Sequence, residues 1–120
     1  MDELIDQQPF VDLIKEFAME MSDEYRLFIA QKAEILKVIS HPVRLCIVSG
    51  LLRAPCCNVN KIQDCLKLPQ STVSQHLARL KSAGIVAGDR DGTEVRYRVI
   101  NEDVVKIIQS LLTDPNSQIA

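Results

Sequence analysis

Apolar residues recur at spacings of three and four along most of the chain, which predicts a largely helical fold. Two such segments cover residues 9–21 and 22–39, and Ser22-Asp23-Glu24 offers a cap and two acids for the start of the second. The second segment ends before Pro42, because a residue that precedes proline disfavours the helical conformation. Further helices are predicted over residues 43–53, 58–66, 69–83 and 102–112.

Between the last two predicted helices the pattern changes to the alternation that is typical of β-strands. Residues 85–90 and 94–99 predict two strands around Asp91-Gly92, which is a hairpin turn signal. Gly84 ends the preceding helix, at the position where a left-handed residue is usual. Two short helices joined by a tight turn and followed directly by a hairpin indicate a winged helix-turn-helix.

The predicted fold class is therefore mostly α with a β-hairpin. Residues 31–112 form the predicted winged helix-turn-helix domain, residues 1–30 an N-terminal helical extension with dimer surface, and residues 113–120 a flexible tail. No apolar run approaches the length of about 20 residues that a membrane span needs, and the acidic first residues do not fit a signal peptide. We expect a cytoplasmic protein with no membrane partner.

Charge is distributed unevenly along the chain, although the formal net charge is only -2. Residues 1–30 carry eight acids and two bases, and residues 101–120 carry three acids and one base. Residues 31–100 carry eleven bases and five acids, a net charge of +6. A basic middle favours an anionic partner such as nucleic acid. The aromatic content of 4% argues against stacking on single-stranded bases.

The helix predicted over residues 69–83 combines an apolar stripe with an uncharged polar face. Val73, Leu77 and Leu80 lie on one side of it, and residues 68–78 contain no charge. Hydroxyl and amide groups near a helix N-terminus reach phosphates and base edges in a DNA groove. A solvated face is the alternative, but it would ordinarily carry Glu and Lys. The predicted DNA-binding residues on this helix are Gln70, Ser71, Thr72, Ser74, Gln75, His76 and Arg79.

The predicted hairpin adds arginines beside that helix. Arg90 precedes the turn, and Arg96 and Arg98 alternate with apolar residues, so the latter two share one strand face. We predict that Arg90 and Arg96 contact the DNA backbone next to the groove. The alternative is a solvated strand face on which nearby acids pair with these arginines. Those acids are Asp89, Asp91 and Glu94.

The segments HPVRL at 41–45, LPQSTVSQHLARLKSAGIV at 68–86 and VRYRV at 95–99 resemble the ArsR/SmtB family of bacterial winged-helix repressors. The resemblance covers residues 34–112. It implies a homodimer that binds a palindromic double-stranded operator and is released by an inducer, with the first and last helices at the dimer interface. No catalytic set is present among the residues, so no enzyme and no cofactor are predicted.

The resemblance implies two possible metal sites, and the residues at both are altered in this chain. The site on the last helix would begin Asp-x-His, but Asp103 is followed by Val104-Val105, and no His occurs after His76. The site at the short helix would hold Cys-x-Cys, where this chain has Cys56-Cys57-Asn58. No metal ligand is therefore predicted, and His41 is expected to be structural.

Four cysteines remain as candidates for sensing a signal. Cys46 lies in an apolar helix and Cys65 beside a core position, so both are expected to be small core residues. Cys56 and Cys57 are adjacent, follow a proline and are expected to be exposed. Neighbouring Cα atoms lie about 3.8 Å apart, below the usual disulfide range of about 4.4–6.8 Å, so a bond between them would be strained and easily reduced.

The sequence thus predicts a sequence-specific repressor that leaves its operator when Cys56 and Cys57 are oxidised. One alternative is a repressor with no direct inducer site, in which the two thiols are incidental. Another is a sensor of arsenic(III) or a soft metal, although Cys65 lies about 12 Å of helical rise from Cys57. A winged-helix module that binds protein rather than DNA is the alternative from another functional class.

Overall fold

The computed structural model describes residues 7–112, so the tail predicted at 113–120 lies outside the described residues. Within residues 7–112 there are six helices and three strands. The helices are α1 (Gln8–Glu20), α2 (Asp23–Ile39), α3 (Pro42–Arg53), α4 (Val59–Leu66), α5 (Gln70–Ser82) and α6 (Glu102–Leu111). The strands are β1 (Cys57–Asn58), β2 (Val86–Asp91) and β3 (Glu94–Val99). The chain divides into two compact units between Ala33 and Glu34.

The first unit contains α1 and the N-terminal part of α2. Ser22 Oγ accepts a hydrogen bond from the backbone N–H of Tyr25 at 3.1 Å, so the predicted cap of the second helix is confirmed. The Arg26 guanidinium donates to the Ala18 carbonyl and thereby links the two helices. No residue of α1 is buried, and the phenylalanine rings on its apolar face, Phe10 and Phe17, are 64% and 54% exposed.

The second unit begins within α2. The chain bends between α2 and α3, where the sequence predicts a helix end. His41 occupies the N-cap of α3 and accepts a hydrogen bond from the Val43 N–H through Nδ1 at 3.1 Å, while Pro42 takes the first turn. None of the described helices is long and apolar enough to cross a membrane by itself. Only α2 and α3 together reach that length and composition, and they are bent at this junction.

The core of the second unit is built from one apolar stripe on each helix and from the residues that enter the hairpin. Val73, Leu77 and Leu80 of α5 are almost fully buried, which confirms the predicted stripe. Val104 and Ile108 contribute the stripe of α6, whose start is capped by the Asn101 side chain. The remaining buried apolar residues are Val38, Ile39, Ile47, Val48, Leu51, Ile62, Ile85 and Val86.

Helices α4 and α5 form the helix-turn-helix pair. Lys67 ends α4 in the left-handed conformation, with φ +57°, and Pro69 precedes α5. Gly84 takes φ +72° after α5, so a residue without a Cβ is favoured there, and the Ile85 N–H bonds back to the Leu80 carbonyl at 3.0 Å. The helix end predicted at Gly84 is confirmed.

The wing is a three-stranded antiparallel sheet in the order β1-β3-β2, not a simple hairpin. β1 is absent from the sequence prediction, because two residues carry no periodicity. It pairs Cys57 with Tyr97 and Asn58 with Arg96. The turn lies one residue later than predicted: Asp91 pairs with Glu94, which leaves Gly92 and Thr93 as the two turn residues. Gly92 has φ +66°, a conformation that favours glycine at the start of a two-residue hairpin turn.

Candidate nucleic-acid interface

Helix α5 presents its uncharged polar residues to solvent because its apolar stripe faces the core. Five of the predicted DNA-binding side chains are exposed, and Thr72 is half-buried. The five are Gln70, Ser71, Ser74, Gln75 and Arg79. The N-terminal turn of α5 also has free backbone N–H groups, which favour a phosphate oxygen or another anion. This face combines the donors and acceptors that contact with a DNA groove requires.

His76, which is predicted to contact DNA, lies instead against the start of α3. Its ring centroid is 4.6 Å from that of His41, and its Nδ1 lies 3.2 Å from Nη1 of Arg44. Desolvation lowers the pKa of His76, and electrostatic interactions with His41 and Arg44 lower it further. Arg44 is held in turn by a hydrogen bond from Nε to the Val38 carbonyl at 2.5 Å. His76 therefore joins α5 to the neighbouring helices.

The wing arginines differ in whether nearby carboxylates pair with them. Arg96 lies 3.3 Å from the Asp91 carboxylate and 3.2 Å from that of Glu94, and Arg98 donates to Asp89 at 2.7 Å. Hydrogen bonding to Asp89 raises the pKa of Arg98. Arg90 is exposed, and no acid among residues 7–112 pairs with it. The wing thus offers one unpaired guanidinium and two that acids neutralise.

Asn58 connects the wing to the helix-turn-helix pair, a role that its position in the sequence does not reveal. Its Oδ1 accepts the Lys61 N–H at 2.9 Å and so caps α4, while its Nδ2 donates to Glu94 at 2.9 Å. A polar groove of about 260 Å³ lies beside it. Gln70 and Ser74 of α5 line one side of the groove. Residues from α5, the start of α4 and the wing tip therefore meet in one concave surface.

The adjacent cysteines lie at the edge of the wing, and they differ in exposure. Cys56 is exposed with φ +67°, and its N–H donates to the Tyr97 carbonyl at 3.0 Å. Cys57 was expected to be exposed, which is wrong: it is half-buried against the core, and its Sγ donates to the Ala54 carbonyl at 3.0 Å. Cys56 precedes β1 and has a left-handed backbone, whereas Cys57 is the first residue of the strand.

The other two cysteines also differ from the sequence expectation. Cys46 and Cys65, expected in the core, are both exposed. Together with Cys57 they line a cavity of about 300 Å³ between α3 and α4, which we call the α3–α4 cleft. All four cysteines are free thiols. In residues 7–112 no group of three or more His, Cys, Asp or Glu side chains is placed to hold a metal ion.

The chain is similar to known bacterial regulatory proteins. The model of the bacterial regulatory protein family arsR matches residues 41–87, which include α3, α4 and α5. The transcriptional repressor PagR of Bacillus anthracis is 44% identical over 79 residues, which make up 66% of this chain and 79% of that protein. The crystal structure of PagR matches with a TM-score of 0.67 and 41% identity, over 72% of this chain and 98% of that one.

Two further solved structures are similar to this chain. One is the solution structure of a homodimeric winged helix-turn-helix DNA-binding domain from Mycobacterium bovis, a possible ArsR-family regulator, with a TM-score of 0.68 and 30% identity. The match covers 76% of this chain and 83% of the Mycobacterium bovis chain. The other is reduced HlyU from Vibrio cholerae, with a TM-score of 0.69 and 28% identity over 78% of this chain and 100% of that one.

Proposed function

The chain belongs to the ArsR family of bacterial regulatory proteins and is a DNA-binding transcriptional repressor, and we propose that it binds its operator as a homodimer and leaves it when Cys56 and Cys57 are oxidised. The observation that carries the DNA contact is the exposed, uncharged polar face of α5, together with the exposed and unpaired guanidinium of Arg90 on the wing. In this proposal α5 enters the major groove and the wing follows the adjacent backbone.

The proposed contacts divide into two kinds. Gln70, Ser71, Ser74 and Gln75 are the base-reading candidates, because amides and hydroxyls distinguish base edges. Arg79 and Arg90 are the phosphate contacts, which supply affinity but little sequence preference. Arg96 can join them only by exchanging its carboxylate partners for phosphate, an exchange with a small free-energy cost because exposed ion pairs contribute about 0–1 kcal/mol. Thr72 and His76 are proposed to position α5.

The homodimer is supported by apolar side chains that remain exposed in the second unit. Leu36 on α2 is 51% exposed and Leu111 on α6 is 63% exposed. Scattered exposed apolar residues are normal, but these extend apolar faces that the core already uses on both helices. The homodimeric Mycobacterium bovis structure, 30% identical to this chain, supports pairing of two copies. Two α5 helices would then face successive major grooves.

The redox part of the proposal rests on the position of the cysteine pair between the wing and α4. Hydrogen peroxide would convert one thiol to a sulfenic acid and release water, and attack by the second thiol would release a second water as the disulfide forms. For the two sulfur atoms to bond, Cys57 Sγ must leave the Ala54 carbonyl and the core. That movement disturbs β1 and the neighbouring cap of α4 at Asn58, and hence the placement of α5 and the wing.

The DNA-binding surface is tested by affinity for a duplex that the protein itself selects from a random pool. Arg90→Ala is expected to weaken binding and to reduce the salt slope by about 1.8, because each of the two protomers loses one phosphate contact. Arg96→Ala should have a smaller effect, since its charge is already paired. Gln75→Ala should lower affinity for the selected duplex by about tenfold or more while leaving non-specific binding unchanged. Ser82→Ala, at the C-terminal end of α5, is the control.

A contrary result would be equal affinity for the wild type and for Arg90→Ala and Gln75→Ala. The protein would then bind DNA by another surface, or its winged helix would bind protein. Failure to enrich any duplex from the pool would favour the second of these.

The redox proposal is tested by counting free thiols and measuring DNA affinity before peroxide, after peroxide and after a reductant. We expect each chain to lose two free thiols and the protein to lose its DNA binding after peroxide. Both should recover after the reductant. Cys56→Ser and Cys57→Ser should each abolish the response, whereas Cys65→Ser should keep it. If peroxide leaves the affinity unchanged while arsenite lowers it, the redox proposal is wrong and a soft-metal sensor takes its place.

A further inference from the structure

The α3–α4 cleft is a mostly apolar cavity, and three of the four cysteines of the chain lie on its wall. Cys46 comes from α3, Cys57 from β1 and Cys65 from α4. The buried side chains of Leu51 and Ile62 form its apolar floor. Its volume of about 300 Å³ matches the lower end of the range for small-molecule sites, which are mostly apolar with few polar groups.

Gly50 lies where the cleft has room for a side chain. It lies inside α3 on the wall of the cleft, and a Cβ built there would meet no atom within 4 Å. Neither its backbone conformation nor a close neighbour requires glycine, although glycine weakens a helix interior relative to alanine. The missing side chain leaves the cleft open between α3 and α4.

We propose that the α3–α4 cleft is a regulatory site for small apolar electrophiles of the α,β-unsaturated carbonyl class, which its cysteine thiols capture. In the reaction a thiol sulfur bonds to the β-carbon of the alkene, the C=C π bond breaks, and the thiol proton ends on the α-carbon. No oxidant or further reagent is needed. The apolar wall selects the ligand, and the thiols hold it.

The position of the cleft explains how capture would be transmitted. α4 is the first helix of the helix-turn-helix pair and packs against α5, while α3 belongs to the scaffold behind it. A molecule wedged between α3 and α4 would shift α4, and with it the recognition helix. This regulatory role rests on the proposed DNA-binding function, whereas capture of the ligand does not.

The site is tested with two maleimides that share the same reactive alkene, N-phenylmaleimide and the polar N-(2-hydroxyethyl)maleimide. Limited labelling is mapped by peptide mass spectrometry, with exposed Cys56, which does not line the cleft, as the internal reference. The ratio of labelling at Cys46 and Cys65 to labelling at Cys56 is expected to be about tenfold higher for the phenyl reagent, from burial of roughly 60 Å² of ring surface. Equal ratios for the two reagents would overturn the proposal.

Gly50→Leu provides the matched variant, because its side chain would occupy the open space. We expect the phenyl preference to disappear while the thermal midpoint is not lowered, since leucine favours a helix more than glycine does. Gly50→Ala, which adds one methyl group, should keep most of the preference. An unchanged preference in Gly50→Leu would show that the thiols are labelled outside the cleft.

The regulatory role is tested by measuring the affinity of labelled and unlabelled protein for the duplex that the unlabelled protein selects. Labelling in the cleft should lower affinity by about tenfold, within the usual range for coupled sites. Cys56→Ser should keep this response while losing the response to peroxide, which separates the two signals. Cleft-labelled protein with full DNA affinity would overturn the regulatory role. If the unlabelled protein enriches no duplex, the proposed DNA-binding function fails, and the maleimide ratios still decide whether the cleft captures electrophiles.

Discussion

His76 illustrates how neighbours decide the role of a single side chain. By its position in the sequence it belongs to the polar residues of α5, and it is predicted to contact DNA with them. In the fold its ring meets His41 and Arg44. Periodicity distinguishes the buried stripe of α5 from the rest of the helix, but it does not show that the start of α3 covers part of that polar side.

The environment of His76 predicts a pH dependence of stability. Its pKa is lower in the folded protein than the ordinary value of 6.5, so the unfolded chain binds the proton more readily. The free energy of unfolding is therefore expected to be highest above pH 6.5 and to fall as the pH drops through that value. Urea unfolding at a series of pH values measures this dependence. His76→Gln should reduce the loss at acidic pH, and an identical profile would contradict the assignment.

The cysteines give a second example at the scale of the residue. Their number and spacing follow from the sequence, but their exposure does not: Cys46 and Cys65 are exposed, while Cys57 is half-buried. A one-dimensional pattern assigns Cys46 to an apolar helix without showing which side of that helix is covered. The cleft that gathers Cys46, Cys57 and Cys65 exists only once α3 and α4 are packed.

At the scale of the element, the helices follow closely from local chemistry. The predicted caps at Ser22 and Asn101 accept the backbone N–H groups that helix starts leave free, and Gly84 ends α5 as predicted. β1 could not be predicted, because its two residues form a strand only through pairing with β3. The turn of the wing is misplaced by one residue for a related reason, since register depends on which residues pair across the hairpin.

Asn58 yields a prediction at this scale, since one side chain caps α4 and also holds the wing. Asn58→Ala is expected to lower the free energy of unfolding by about 0.5–2 kcal/mol, the usual effect of losing a helix cap. Amide hydrogen exchange should quicken at Lys61, whose N–H loses its acceptor. Asn60→Ala, in the same exposed turn of α4, is the control and should change stability by less than about 0.5 kcal/mol. Equal effects of both changes would refute the role of Asn58.

At the scale of the whole molecule, the net charge of -2 conceals a division of roles. Residues 31–100, which contain the helix-turn-helix pair and the wing, carry +6, while the two ends together carry -8. Part of the central charge is neutralised locally, because Arg96 and Arg98 pair with acids of the wing. The unpaired bases, rather than the total, therefore determine how strongly a phosphate backbone is attracted.

The exposed apolar face of α1 predicts that the N-terminal extension adds to dimer stability. Leu13→Asp and Phe17→Asp place charges on that face and are each expected to raise the dimer dissociation constant by about tenfold or more, since burial of one such side chain contributes about 1.5–3 kcal/mol. Sedimentation equilibrium measures the change. Lys15→Asp, on the opposite side of α1, is the control. Unchanged dimerisation in all three variants would remove α1 from the interface.

The sequence by itself determined the order and kind of the helices, the hairpin, the buried stripe of α5 and the resemblance to a repressor family. These features depend on periodicity, caps and turn residues, which act within a few positions of the chain. The tertiary structure alone decided that β1 extends the wing, that acids neutralise Arg96 while Arg90 stays unpaired, and that His76 faces α3. It also brought three cysteines from separate elements to one cleft, because contacts between distant residues arise only when the elements pack.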